Sequence, residues 1–191
     1  MDVFSHGLWA AALAKIVNFR KKKPMSVWLT AFWGVFPDVF AFAPAFVWLF
    51  YKYFTGGINP SLFPKPGEME PVAMDTLPIM KLTHFLYNLT HSLLAFAVVF
   101  LIMLLIFRRI RWSAFGWLFH IIIDIPTHSY KFFPTPFLWP FSNWKFDGIS
   151  WANPWFMLFN VLMLGAVWLA ILLGKRKNNN PSLFQREVRR D

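Results

Sequence analysis

Apolar residues form long stretches along the chain, and short polar or basic segments separate them. The apolar stretches cover residues 2–18, 25–51, 84–107, 112–128 and 155–174. A helix of about 20 apolar residues can cross a bilayer, so the pattern predicts an all-α, multi-pass membrane helical bundle with about four to five helices. Pro37 and Pro44 lie inside the second stretch and predict a kinked or broken span there.

The composition and the placement of charge support a membrane protein. Hydrophobic residues make up 57% of the chain and charged residues 15%, and the mean hydropathy is +0.45, unlike a soluble domain. The net charge is +10, but the basic residues cluster at positions 20–23, 108–111 and 175–177, each beside an apolar stretch. Such clusters mark cytoplasmic ends of spans. We therefore expect no nucleic-acid partner, a membrane domain over residues 1–177, an external loop over residues 52–82 and a polar cytoplasmic tail over residues 178–191.

Polar residues inside the apolar stretches are the candidate functional residues. In the sequence HIIIDIPTH, His120, Asp124 and His128 follow one another at four-residue steps, which places them on one face of an α-helix. A carboxylate between two imidazoles is a typical arrangement of metal ligands, and hydrocarbon is a costly place for such groups without a function. The chain has no cysteine, so thiolate ligands and cysteine nucleophiles are excluded.

Residues from other stretches are predicted to lie at the same membrane depth. Counting about 1.5 Å per residue from the basic clusters, across a core of about 30 Å, brings ligands from four stretches into one layer of the outer half. The candidate metal ligands are His6, Asp38, His91, His120, Asp124 and His128. His84 and His128 fall at the outer rim, and His84 lies about 10 Å along the helix from His91, too far to share an ion with it.

These placements suggest roles for the residues. We expect one or two divalent ions, with zinc as the expected metal and Asp124 as the bridging ligand. The candidate catalytic residues are Asp38, Asp124 and His84. The hydroxyl side chains beside the ligands belong to Thr90, Ser92 and Thr127. They either orient the ligands or bond to the helix carbonyl one turn back, and the sequence leaves both alternatives open.

The order of these motifs resembles a known family. The residues that carry the resemblance are His6, GVFPD ending at Asp38, His84, THS at residues 90–92, HIIID at residues 120–124 and FLWPFS at residues 137–142. Over residues 1–170 the chain resembles the YdjM-like inner-membrane metal-dependent hydrolases, which are distantly similar to zinc-dependent phospholipases C and P1-type nucleases. The resemblance implies that His6, Asp38, His91, His120 and Asp124 bind metal, that the protein lies in the inner membrane, and that it hydrolyses phosphoesters. Phe40 and Phe85 depart from the family, which often has an acid and a basic residue at these positions.

The aromatic and proline-rich segment at residues 131–155 has two interpretations. It is either an interfacial belt of tryptophans or a lid of non-helical chain that covers the site and contacts lipid. We favour the lid, with Trp139 and Phe141 as its substrate-covering residues. Lys131 and Asp147 are further candidates for the site from the same segment.

Together these observations predict a membrane-embedded metal-dependent hydrolase that uses metal-activated water. Its expected substrate is a phosphoester in a membrane lipid or envelope precursor, and the site is expected to face the non-cytoplasmic side. One alternative is a single-zinc hydrolase of lipid amides or esters. A second is a divalent-ion or proton pathway, which intramembrane His and Asp residues also favour. The inner halves of the predicted spans are almost purely apolar, which favours an enzyme over a pathway.

Overall fold

The computed structural model describes residues 1–19, 23–57, 78–130 and 133–179, with side chains up to residue 174. The chain forms α1 (Val3–Asn18), α2 (Val27–Phe54), α3 (Pro78–Thr90), α4 (Leu93–Phe107), α5 (Phe115–Thr127) and α6 (Pro154–Asn179). A short 3-10 helix, Trp112–Ala114, leads into α5. The predicted helical bundle is confirmed, with one more helix than expected. Most of the predicted loop at residues 52–82 and most of the tail at residues 178–191 lie outside the described residues.

Helix α2 occupies the middle of the bundle. It packs against α1, α3 and α5, while α6 packs against α1. Although Pro37 and Pro44 lie inside it, α2 continues as one helix of 28 residues, so the predicted break is not found. A proline inside a helix removes one backbone hydrogen bond. The helices that pack against α2 support it at these two positions.

Within the part of the chain that the structure describes, two helices are long and apolar enough to cross a membrane, α2 and the segment Pro154–Gly174 of α6. The successive helices α3 and α4 would make a third span if they are counted together, but they bend by 65° at the break between them. The predicted spanning run over residues 84–107 is therefore interrupted by a break between Thr90 and Leu93. The cause is local: Ser92 adopts an extended conformation and its side chain caps α4 by accepting a hydrogen bond from the Ala95 amide, which is typical of a helix start.

Helix α2 makes very close contacts with both α5 and α1, and a glycine lies at each contact. A Cβ atom on Gly116 of α5 would lie 2.3 Å from the carbonyl oxygen of Thr30 in α2. A Cβ atom on Gly34 of α2 would lie 2.6 Å from Ala10 of α1 and 2.9 Å from the carbonyl oxygen of His6. Small residues allow helix backbones to approach closely in a membrane, and here they allow α1 and α5 to pack closely against α2.

The aromatic segment after α5 is attached to the bundle at both of its ends. Near its start, the Phe137 carbonyl accepts a hydrogen bond from the Leu93 amide at the beginning of α4. Near its end, the Gly148 and Trp151 amides donate to the carbonyls of His128 and Thr127. The segment therefore lies over the break between α3 and α4 and over the end of α5.

We predict that Gly116→Ala lowers the free energy of unfolding by about 1–3 kcal/mol, because the new methyl group pushes α5 away from α2. Gly165→Ala is the matched control, since a Cβ atom there meets nothing within 4 Å. Thermal unfolding in detergent, followed by tryptophan fluorescence, measures both. Equal stability of the two variants would contradict the close contact of α2 and α5.

Candidate metal centre

Four side chains from helices α2 and α5 and from the break between α3 and α4 meet in the buried interior of the bundle. Among the described residues, Asp38, His91, His120 and Asp124 form one group whose ligand atoms all lie within 4.8 Å of one another. Their relative exposures are 5% or less. Buried ionisable groups inside an apolar bundle are costly unless they are paired or bind a cation. A cation bound among these side chains would offset the cost of burying their carboxylates.

The His91 ring is held by hydrogen bonds on its Nδ1 atom. This atom lies 3.1 Å from the carbonyl oxygen of Tyr87 and 3.0 Å from the hydroxyl of Thr90. A carbonyl can only accept, so the bond to Tyr87 requires the hydrogen on Nδ1. In a neutral imidazole the Nε2 lone pair is then free to bind a metal, and a backbone carbonyl on the other nitrogen is the usual support for a metal-ligating histidine.

His120 is held in the same way by α2. Its Nδ1 atom lies 2.7 Å from the carbonyl oxygen of Gly34, so this nitrogen is also the donor and Nε2 carries the lone pair. The Nε2 atoms of His91 and His120 lie only 3.0 Å apart. Two lone pairs at this distance repel each other unless a cation lies between them.

The distances within the group match the size of a tetrahedral site. A zinc ion with ligands about 2.0–2.1 Å away has neighbouring ligand atoms about 3.3–3.4 Å apart. Besides the 3.0 Å between the two Nε2 atoms, Asp124 Oδ2 lies 3.2 Å from His120 Nε2 and 3.4 Å from His91 Nε2. Asp38 Oδ1 lies 3.4 Å and 3.7 Å from the same two nitrogens. The four residues therefore fit a single divalent ion with nitrogen and oxygen ligands.

The second oxygen of Asp124 faces a different set of groups. Its Oδ1 atom lies 2.8 Å from Nε2 of His6 and 3.5 Å from Nδ1 of His128, and it accepts a hydrogen bond of 2.6 Å from the Met1 amine. The His6 ring also stacks on His120, with ring centroids 3.7 Å apart. Asp124 thus lies between two sets of histidines, while His6 and His128 are outside the group of four. Its role as a bridging ligand stays a prediction.

The three hydroxyl side chains near the ligands have different roles. Thr90 bonds to the Leu86 carbonyl and also contacts His91, so both predicted alternatives hold for it. Ser92 caps α4 and donates to the Trp139 carbonyl at 2.6 Å. Thr127 donates to the Ile123 carbonyl one turn back. Of the three, Thr90 is the one that the structure places against a member of the group.

His84 lies apart from the group of four. Its half-buried ring stacks on Phe133, with centroids 4.6 Å apart and planes 18° from parallel. The sequence places it two helical turns before His91, and the structure does not bring it among the candidate ligands. Its catalytic role stays a prediction.

The aromatic segment approaches the site through residues other than the two predicted ones. The Trp139 ring contacts Phe85, with centroids 6.3 Å apart, and Phe141 is 83% exposed. Phe133 and Trp151 instead line a cavity that reaches Asp38. Asp147 accepts a hydrogen bond from the Tyr130 amide outside the group, and Lys131 lies outside the described residues.

Asn160 is a buried polar residue that the sequence analysis did not identify. It accepts a 2.9 Å hydrogen bond from Nε1 of Trp9 and donates one of 2.8 Å to the hydroxyl of Ser5. These bonds connect α6 to the turn of α1 that carries His6. A single polar residue in an apolar helix forms no spacing pattern. Its one indication in the sequence is that an amide side chain lies inside an otherwise apolar stretch.

Comparison with known proteins identifies the family. The family model described as YdjM inner membrane protein matches residues 1–184. The chain therefore belongs to this family. No curated protein and no solved structure matches the chain.

We predict that Asp124→Asn abolishes zinc binding, because it removes a buried charge that faces ligands on both sides. His84→Ala should retain zinc, since its ring stacks on Phe133 rather than joining the group. Elemental analysis measures the zinc content of the two purified variants and of wild type prepared without chelator. Similar zinc content in the two variants would show that the group of four does not bind the ion.

Proposed function

We propose that this member of an inner membrane protein family is a metal-dependent hydrolase that acts on phosphoester bonds in a lipid or envelope substrate. The observation that carries the proposal is the spacing of the four ligand atoms, which lie within 4.8 Å of one another, with the two histidine Nε2 atoms 3.0 Å apart. Two carboxylates and two imidazoles are ligands that suit zinc. A divalent ion bound there would supply Lewis acidity and a water of lowered pKa, both of which promote phosphoester hydrolysis.

The protein's own residues prepare the site for this chemistry. The hydrogen bonds from His91 and His120 to backbone carbonyls fix both rings before any ligand arrives, so little reorganisation is needed. Asp38 Oδ2 is buried and has no hydrogen-bond partner among the described residues. It is therefore available to accept a proton from a water molecule, and the buried surroundings strengthen its electrostatic effect.

The proposed site faces the non-cytoplasmic side of the membrane. Basic clusters follow the first stretch and the α4 helix, and such clusters remain on the cytoplasmic side. Two members of the group lie well away from these clusters along the chain: Asp38 is in the middle of α2, and His91 precedes α4, whose far end carries the second cluster. A substrate would therefore approach from the outer leaflet.

We expect Asp38→Asn to lower phosphoester hydrolysis by more than about 100-fold, because it removes a ligand charge of the group. Asp147→Asn is the matched control: it makes the same change at an exposed carboxylate outside the site. Turnover of phosphatidylglycerol and of a water-soluble phosphodiester by the zinc-loaded protein measures both. Absence of hydrolysis by wild type, together with zinc flux into liposomes that requires Asp38, would replace the enzyme with an ion pathway.

The orientation can be tested with single cysteines, because the chain has none of its own. Gly57→Cys, after α2, should react with a membrane-impermeant maleimide in intact cells. Ile110→Cys, in the exposed turn after α4, should react only after the cells are opened. The reverse labelling pattern would place the site on the cytoplasmic side.

A further inference from the structure

A cavity extends from the candidate metal centre to the lipid-facing surface of the bundle. It has a volume of about 340 Å³ and lies between the start of α1, α2, α3 and the aromatic segment. Asp38 and His128 line it, so it is continuous with the site. Most of its other lining consists of aromatic rings: Phe4, Phe42, Phe46, Tyr87, Phe133 and Trp151. Its size is at the lower end of the range for small-molecule sites, about 300–1,000 Å³.

The exposure of the lining residues shows which end of the cavity is open and which end is buried. Phe4 and Phe46 are 83% and 53% exposed and therefore stand at its outer end. Tyr87 and Phe133 are 3% and 6% exposed and form its inner wall. Phe42 connects these ends, because its ring contacts both Tyr87 and Phe133 at centroid distances of 5.9 Å and 5.1 Å. The opening lies beside helix α2, which is long enough to span the membrane, and an opening on the side of a spanning helix would face lipid.

We infer that this cavity binds the apolar chain of the substrate, which enters sideways from the bilayer and brings its phosphoester to Asp38 and His128. The inference rests on the proposed function for the phosphoester, but the binding of the chain is a separate property. Aromatic side chains make favourable contacts with a hydrocarbon chain. The headgroup of a lipid bound in this way would contact the polar residues at the inner end of the cavity. The substrate class is therefore an acyl or prenyl phosphoester rather than a water-soluble one.

The direct test uses phosphatidylglycerol with a diazirine at the end of one acyl chain, added in trace amount to phosphatidylcholine proteoliposomes. Lipids around the protein label exposed positions such as Phe50, which is 60% exposed and does not line the cavity. Tyr87 and Phe133 are buried, so a chain reaches them only through the cavity. We expect labelling of Tyr87 and Phe133, found by mass spectrometry, in the protein as purified and after EDTA treatment. Labelling confined to exposed positions would overturn the inference.

A pair of variants on α2 tests the same inference by turnover. Phe46→Ala removes a ring from the mouth of the cavity, while Phe50→Ala removes an equally exposed ring one turn further along. For phosphoesters of increasing chain length, Phe46→Ala should reduce kcat/KM on long chains by about 5- to 10-fold, with little change on short chains. Phe50→Ala should match wild type. Equal values on all chain lengths in wild type would overturn the inference.

The two experiments separate the inference from the proposed function. Labelling of Tyr87 and Phe133 without hydrolysis of any phosphoester supports the chain-binding cavity and rejects the hydrolase. Hydrolysis without chain-length preference, and without labelling of these two residues, supports the hydrolase and rejects the cavity as the substrate's chain site.

Discussion

The close approach of two histidine lone pairs is the constraint on which the rest of the structure depends. The Nε2 atoms of His91 and His120 lie 3.0 Å apart because each ring is anchored at Nδ1 by a backbone carbonyl, one from α3 and one from α2. Such a pair is stable when a cation, either a proton or a metal ion, lies between the nitrogens. Two buried carboxylates, whose oxygens lie 3.2–3.7 Å from these nitrogens, favour the metal ion, since they add two negative charges and two oxygen ligands.

The fold explains how these atoms come together inside an apolar bundle. Gly34 serves twice: it lets α1 approach α2, and its carbonyl holds His120. Gly116 lets α5 approach α2 closely enough for that bond to form. The break at Ser92 frees His91 from the helix and turns the chain toward the aromatic segment. Specific packing of backbone against backbone, more than the amount of apolar surface, therefore positions the site.

Much of the site could be predicted from the sequence because its residues are polar groups inside apolar stretches. Four-residue spacing identified His120 and Asp124, and membrane depth added Asp38 and His91. The break between α3 and α4 was missed, although Ser92 before a purely apolar run is a recognisable helix start. Phe133 and Trp151 could not be distinguished from the other rings of their segment, since which ring lines the cavity depends on where the loop attaches to α5. Asn160 was missed because its partners, Ser5 and Trp9, lie over 150 residues away.

X-ray absorption spectroscopy at the zinc edge, on protein purified without chelator, tests the central claim most directly. The structure predicts one ion held by nitrogen and oxygen atoms at about 2.0–2.1 Å, with the outer-shell scattering of two imidazoles. In His120→Ala the zinc should be lost, or the imidazole scattering should fall to that of one ring. A protein without stoichiometric metal, in which His91 and His120 share only a proton, would contradict the account.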